Sequence, residues 1–194
     1  MKKFILFLMS LLIMQSASAD FHFLKSSDEN NLLFGENKNQ IALNVGMGVD
    51  SGIIVPPPDR PVPFSILHFQ YSQPSTFFRL PARMSLNIAQ TIGFGKKYDW
   101  DWRDFSIPIV FLTEDVILLH GRDWYAGAGA GAGFQMEENE REGSKFLFQF
   151  KLFAGYKITK SVAAEFFVLH RSNGNTDPVN NAYAFYVFGF NYSF

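Results

Sequence analysis

From Gln40 to Phe194 the chain alternates apolar and polar positions with a period of two, interrupted by turn-rich segments, and the pattern predicts eight strands. The first, Gln40–Val49, sets Ile41, Leu43, Val45, Met47 and Val49 against Ala42, Asn44, Gly46 and Gly48. The second covers about Pro63–Ser72. The third, about Met84–Gly95, sets Met84, Leu86, Ile88, Ile92 and Phe94 against Ser85, Asn87, Ala89, Thr91 and Gly93, with Gln90 breaking the apolar face. The fourth, about Phe105–Leu119, alternates poorly and puts Glu114 and Asp115 on opposite faces. Trp124–Gln135 runs Gly and Ala in turn, which leaves room for large neighbours inside a narrow barrel. Lys145–Ile158 is the sixth strand, Ser161–Ser172 the seventh and about Ala182–Phe194 the eighth. In the last, Tyr186, Phe188, Phe190, Tyr192 and Phe194 form a wholly aromatic face.

One greasy face per strand suits a wall that meets lipid. The long polar links Asp50–Val62, Lys96–Asp104, Met136–Ser144 and Asn173–Asn181 follow odd strands, and the short links His120–Asp123 and Thr159–Lys160 follow even ones. Outer-membrane barrels divide their outer loops and periplasmic turns in this way, although Gln73–Arg83 is awkwardly long for a turn. The expected fold is therefore all-β, an eight-stranded antiparallel up-and-down transmembrane β-barrel over residues 40–194. Ahead of it, Lys2 and Lys3 precede the apolar run Phe4–Met14, and Ala17-Ser18-Ala19 is a small-x-small site. Residues 1–19 thus read as a cleaved signal peptide, since roughly 20 apolar residues are needed to cross a bilayer as a helix. Residues 20–39 are expected to be a polar periplasmic segment. The terminal Phe194 resembles the aromatic sorting signal of outer-membrane proteins, so the expected location is the outer membrane of a Gram-negative cell.

Composition narrows the picture further. Twenty-three Phe suit a lipid-facing wall better than a soluble surface. A soluble lipocalin-type barrel is the competing fold, but a Gly/Ala-rich face would coat it badly. The absence of Cys excludes disulfides and thiolate chemistry, and a net charge of −1 gives no ground for a nucleic-acid partner. No metal-ligand spacing or phosphate-cradling Gly motif is present, so neither a metal nor a cofactor is expected.

Candidate chemistry lies at the end of the seventh strand. A carboxylate on the lipid side is expensive, which turns Glu165 inward and leaves His170 and Ser172 outward, near the extracellular rim. Side chains at i and i+2 share a strand face, close enough for an imidazole to take a hydroxyl proton and make Ser172 a nucleophile. Taken alone, His-x-Ser is weak evidence, since such pairs arise by chance and a histidine at the bilayer interface is often only a polar rim residue. Among the other histidines, His22 precedes the barrel, His120 sits in a turn and His68 shares an inward face with Gln70.

The block HRSNGNTDPVNNAYAFYVFGFNYSF, His170–Phe194, resembles the C-terminus of the lipid A 3-O-deacylase (PagL-type) family of eight-stranded outer-membrane esterases. That resemblance implies Ser172 as nucleophile, His170 as general base, and Asn173 and Asn180 as loop asparagines, with Asn180 helping to hold the oxyanion. Ala184 stands where family members carry the carboxylate that orients the histidine. Asp177 in the loop is the candidate substitute. Asn175 and Ala182 stand where the family has glycines. The implied substrate is lipid A (lipopolysaccharide) in the outer leaflet, hydrolysed by a monomer or homodimer.

Two other functions fit such a barrel: a non-enzymatic structural or adhesion protein, and an acyltransferase or phospholipase. An acyltransferase that measures acyl chains needs an open bore, whereas Phe153, Phe167, Leu169 and Phe185 are expected to fill this one. Lys151 and Glu165 are expected to pair inside the barrel. Tyr98, Trp100 and Trp102, with Lys96, Lys97 and Arg103, suit a membrane interface and lipid A phosphates.

Overall fold

A computed structural model describes residues 38–49, 63–78, 80–93, 108–138, 143–180 and 182–194. The eight strands are β1 Gln40–Val49, β2 Pro63–Phe77, β3 Leu80–Gly93, β4 Pro108–His120, β5 Trp124–Gln135, β6 Phe146–Lys157, β7 Val162–Ser172 and β8 Tyr183–Ser193. Each pairs antiparallel with its neighbours, and β1 pairs with β8 to close the barrel. Closure leaves no strand edge unpaired, the condition for spanning a bilayer with strands. Starting at Gln73 on β2 and following paired residues once around the wall returns to β2 at Pro63, ten residues away. That stagger tilts the strands to the barrel axis, and a barrel of eight strands is narrow enough for side chains to fill.

The awkward Gln73–Arg83 link is not a loop. β2 continues to Phe77 and β3 begins at Leu80, with Pro74 facing Arg83 and Ser75 facing Ala82 in the ladder. The residues Gln-Pro-Ser-Thr read as a turn, yet the register carries them as strand, and Phe78 makes the reversal with φ 47°. Short connections therefore follow β2, β4 and β6 alike. β4 also alternates more cleanly than its sequence suggests: Phe111, Thr113, Asp115 and Ile117 are buried, and its register shifts only between Ile117 and Leu119.

Alternation divides every strand between wall and bore. Leu43, Val45, Met47, Phe150, Leu152, Tyr186, Phe188 and Phe190 lie exposed on the outside, each at 47 % or more of its full surface. Inside, Phe153, Phe167, Leu169, Phe185 and Val187 pack with Ile66, Ile117 and Tyr125 in one apolar layer. Nearer the end that carries the long links, Ile109, Phe111 and Leu147 form a second layer. The inward glycines of β5 make this filling possible. A Cβ on Gly129 would strike the Asp115 carboxylate, and one on Gly133 would lie 2.7 Å from the Phe111 ring.

Charge is held in the same bore, with pairings other than the expected one. Glu165 and Lys151 are both buried, but Glu165 accepts two bonds from Arg83 Nη2 (2.7 and 2.9 Å) and one from Tyr125 OH (3.0 Å). Lys151 Nζ instead donates to Asp115 Oδ2 at 2.5 Å, and Arg83 Nε reaches the same oxygen at 2.9 Å. The expected Lys151–Glu165 pair fails because of register. Lys151 faces Leu169 and Glu165 faces Gly155, so the two are four positions apart along the ladder, roughly 13 Å. Arg83, read as part of a link, turns out to be an inward strand residue that bridges both acids.

Candidate active site

β7 sends Glu165, Phe167, Leu169 and Arg171 into the bore, so His170 and Ser172 point outward at its last turn of alternation. In the ladder His170 lies between Phe150 of β6 and Ala184 of β8, and Ser172 lies opposite Phe148. The Phe150 and His170 rings are 6.5 Å apart at 36°. His170 is half-buried, whereas Ser172 is only 8 % exposed. The loop after β7 accounts for that cover, because it folds toward β6: a Cβ on Gly174 would sit 2.9 Å from the Phe148 ring.

That loop is built by its asparagines. Thr176 N donates to Asn173 O at 3.2 Å, closing a turn whose central residues Gly174 and Asn175 have φ of 65° and 60°. Positive φ at both positions is the type I′ condition, and asparagine is among the few side chains that tolerate it. Asn175 can therefore stand where a glycine is common. Asn173 is fully buried; its Nδ2 donates to Val179 O (2.6 Å) and its Oδ1 accepts Asn175 N (2.8 Å). Asn180 Oδ1 accepts Asn173 N (3.0 Å), and Asn180 Nδ2 donates to Asn175 Oδ1 (2.7 Å), leaving the second N–H of that amide for another acceptor. Asn173 and Asn180 thus hold the segment immediately after Ser172.

The structure brings His170, Ser172, Asn173 and Asn180 to one rim of the wall, and it leaves Asp177 apart from the imidazole. Asp177 Oδ1 accepts Val179 N at 3.0 Å and packs against Gly143 in the β5–β6 connection, where φ is 57°. His170 Nδ1 is buried without a hydrogen-bond partner, and across the ladder from it stands the methyl group of Ala184. No hydrogen bond joins His170 to Ser172 among the described residues. Two neighbours escaped sequence reasoning: Phe148 beside Ser172, which counting back from the β6–β7 turn would have found, and Gly143 beside Asp177, for which no sequence signal exists.

The remaining histidines take other places. His68 is fully buried in the bore, with Nδ1 2.9 Å from Asn44 Nδ2, and His120 is exposed at the end of β4. His22, the expected signal peptide and N-terminal segment up to residue 37, and Lys96, Lys97, Tyr98, Trp100, Trp102 and Arg103 lie outside the described residues.

Comparison with known proteins adds identity to this geometry. The crystal structure of the outer membrane enzyme PagL superposes with a TM-score of 0.52 at 12% identity, covering 79% of this chain and 98% of that one. Neisserial surface protein A gives 0.55 at 10% identity, covering 81% and 97%. At such identities these two likenesses speak for the fold, an outer-membrane β-barrel. No curated protein matches the chain. A sequence profile described as lipid A 3-O-deacylase (PagL) matches residues 71–193, a span that includes His170, Ser172, Asn173 and Asn180. With most of its length matched and the barrel closed in the same eight-stranded form, the chain belongs to the PagL family of lipid A 3-O-deacylases.

Proposed function

We propose that the protein is an outer-membrane serine esterase that removes an ester-linked acyl chain from lipid A in the outer leaflet. An N-terminal signal peptide, residues 1–19, exports it, and residues 20–39 precede the barrel on the periplasmic side. The observation that carries the reading is the placement of His170 and Ser172 two residues apart on the outer face of β7, at the end with the long links, within the span matched by the family profile. A nucleophile there meets an ester in the membrane itself.

In the proposed reaction His170 takes the Ser172 hydroxyl proton as Oγ attacks the ester carbonyl. The tetrahedral oxyanion is held by the uncommitted N–H of Asn180 and by backbone amides. Collapse expels the sugar alkoxide, which takes the proton from His170, and leaves acyl-Ser172. Water, deprotonated by His170, then attacks the acyl carbonyl, and collapse breaks the bond to Ser172 Oγ, which takes the proton back from His170 as the fatty acid leaves. Asn173 acts as a positioning residue, because its bonds shape the loop and it need not touch substrate.

A non-enzymatic barrel has two specific observations in its favour: His170 Nδ1 lacks a partner, and Ser172 is not bonded to the imidazole. An acyltransferase that holds a chain in its bore is disfavoured, since Phe153, Phe167, Leu169 and Phe185 are buried there. Mass spectrometry of lipid A from cells with and without the protein separates the first two readings. Ser172→Ala and His170→Ala are each expected to abolish deacylation while the barrel still assembles, and the double variant should lose little more than either. Full deacylation by purified Ser172→Ala protein would leave the structural barrel.

A further inference from the structure

Ser172 is framed by two fully buried residues, Arg171 before it and Asn173 after it. Asn173 grips the loop, through Val179 O and Asn175 N. Arg171 grips the barrel. Its guanidinium carbon lies 5.0 Å from the centre of the Phe111 ring and 5.7 Å from that of Phe185, and its Nε donates to Gln149 Oε1 at 3.1 Å. Phe111 belongs to β4, Gln149 to β6 and Phe185 to β8, so a single side chain ties the end of β7 to three other strands. The two rings also belong to different apolar layers of the bore, and Arg171 joins them.

Packing alone does not account for an arginine here. A guanidinium is a costly filler between apolar layers, and an aliphatic side chain would occupy the space without that cost. What arginine adds is direction: a flat group that lies on aromatic faces and donates in its own plane is held in one orientation. Orientation matters at this point because the ladder is ending. The last β7–β8 pair is Arg171 with Tyr183, and Ser172 keeps only its β6 partner, Phe148. Side chains alternate faces along a strand, so the backbone of Arg171 sets the directions in which His170 and Ser172 leave the wall. A rotation there moves the imidazole and the hydroxyl relative to each other. An error of about 1 Å between reacting groups costs on the order of a hundredfold in rate.

We infer that Arg171 is a positioning residue for the ester hydrolysis: clamped on Phe111, Phe185 and Gln149 inside the bore, it fixes how His170 and Ser172 face each other outside it. Arg171 touches neither the substrate nor the reacting atoms. Its consequence for turnover rests on the esterase reading, whereas the orientation it imposes is measurable without turnover.

Full-length protein is purified in detergent, with heat-modifiable mobility on gels reporting assembly and lipid A in mixed micelles as substrate. Arg171→Met keeps the length and the apolar stem but loses the plane and the donor. It should assemble, lose kcat at least about tenfold and keep KM within about twofold. Arg171→Lys keeps the charge without the plane and should lose nearly as much. Arg83→Met removes another fully buried arginine of the bore and controls for general loosening; its assembled fraction should keep the parent kcat. The second measurement uses no ester. The chain has no cysteine, so in a Ser172→Cys background the pH dependence of iodoacetamide alkylation reports whether His170 lies close enough to favour the thiolate. Adding His170→Ala should raise the apparent thiol pKa by about one unit, and adding Arg171→Met instead should raise it by a similar amount. Should Arg171→Met fail to assemble, Gln149→Leu removes the acceptor of the clamp and carries both expectations. No fatty acid from the parent protein would refute the esterase reading and leave the thiol series to decide the orientation. Parent kcat in Arg171→Met, full rescue by Arg171→Lys, an equal loss in Arg83→Met, or a thiol titration indifferent to Arg171→Met overturns the inference.

Discussion

His170 shows how one missing side chain limits what a Ser–His pair can do. To accept the Ser172 proton, an imidazole must present one bare nitrogen and carry its proton on the other, and a carboxylate ordinarily holds that second proton and stabilises the charged ring. Here Nδ1 is buried without a partner, Ala184 is its opposite number in the ladder, and Asp177 is engaged with Val179 N. Ala184→Glu places a carboxylate on the neighbouring strand at the same level of the wall. It should raise kcat/KM for ester hydrolysis at least about tenfold, and Ser172→Ala in the same background should erase the gain. Unchanged turnover in Ala184→Glu would mean that the histidine is oriented by something other than this position.

At the scale of elements, β5 is the strand whose composition most constrains its neighbours. Its inward positions, Gly127, Gly129, Gly131 and Gly133, yield their volume to Phe153, Asp115, Thr113 and Phe111. Gly129→Val would push against the Asp115 carboxylate and disturb its contacts with Arg83 and Lys151, so assembly should fail or the barrel should unfold at lower denaturant. Ala130→Val, one residue along and outward, should assemble normally. Heat-modifiable mobility on gels distinguishes the two, and equal tolerance would contradict the assigned facing. β2 and β3 teach the opposite lesson. Pro74 and its polar neighbours carry no local strand signal, and only pairing with β3 keeps them extended.

In the whole molecule, the bore is organised around Arg83, which joins Glu165 to the Asp115–Lys151 pair. Removing one member of a buried ionic network strands its partners, at a cost of about 3–5 kcal/mol. Arg83→Met should lose stability on that scale in urea titrations of the folded barrel. Arg83→Met combined with Glu165→Leu should recover much of it, because Asp115 keeps Lys151. If the single variant is as stable as the parent, the network does not hold the barrel together.

What the sequence by itself determined was the set of faces. Period-two alternation separated lipid and bore sides correctly for β1, β3, β6 and β8, and with the lipid penalty on Glu165 it settled β7 and turned His170 and Ser172 outward, because a side chain's face depends only on its own strand. Register, reach and partnership were decided by the tertiary structure alone. Whether Glu165 meets Lys151 or Arg83 depends on how two strands slide past each other, and whether Gln73–Arg83 is loop or ladder depends on a partner strand being present. The place of Asp177 follows from a loop whose path is set by Phe148 and Gly143, both distant in sequence. Those relations exist only once the wall has closed, since a ladder fixes position between strands and no single strand contains that information.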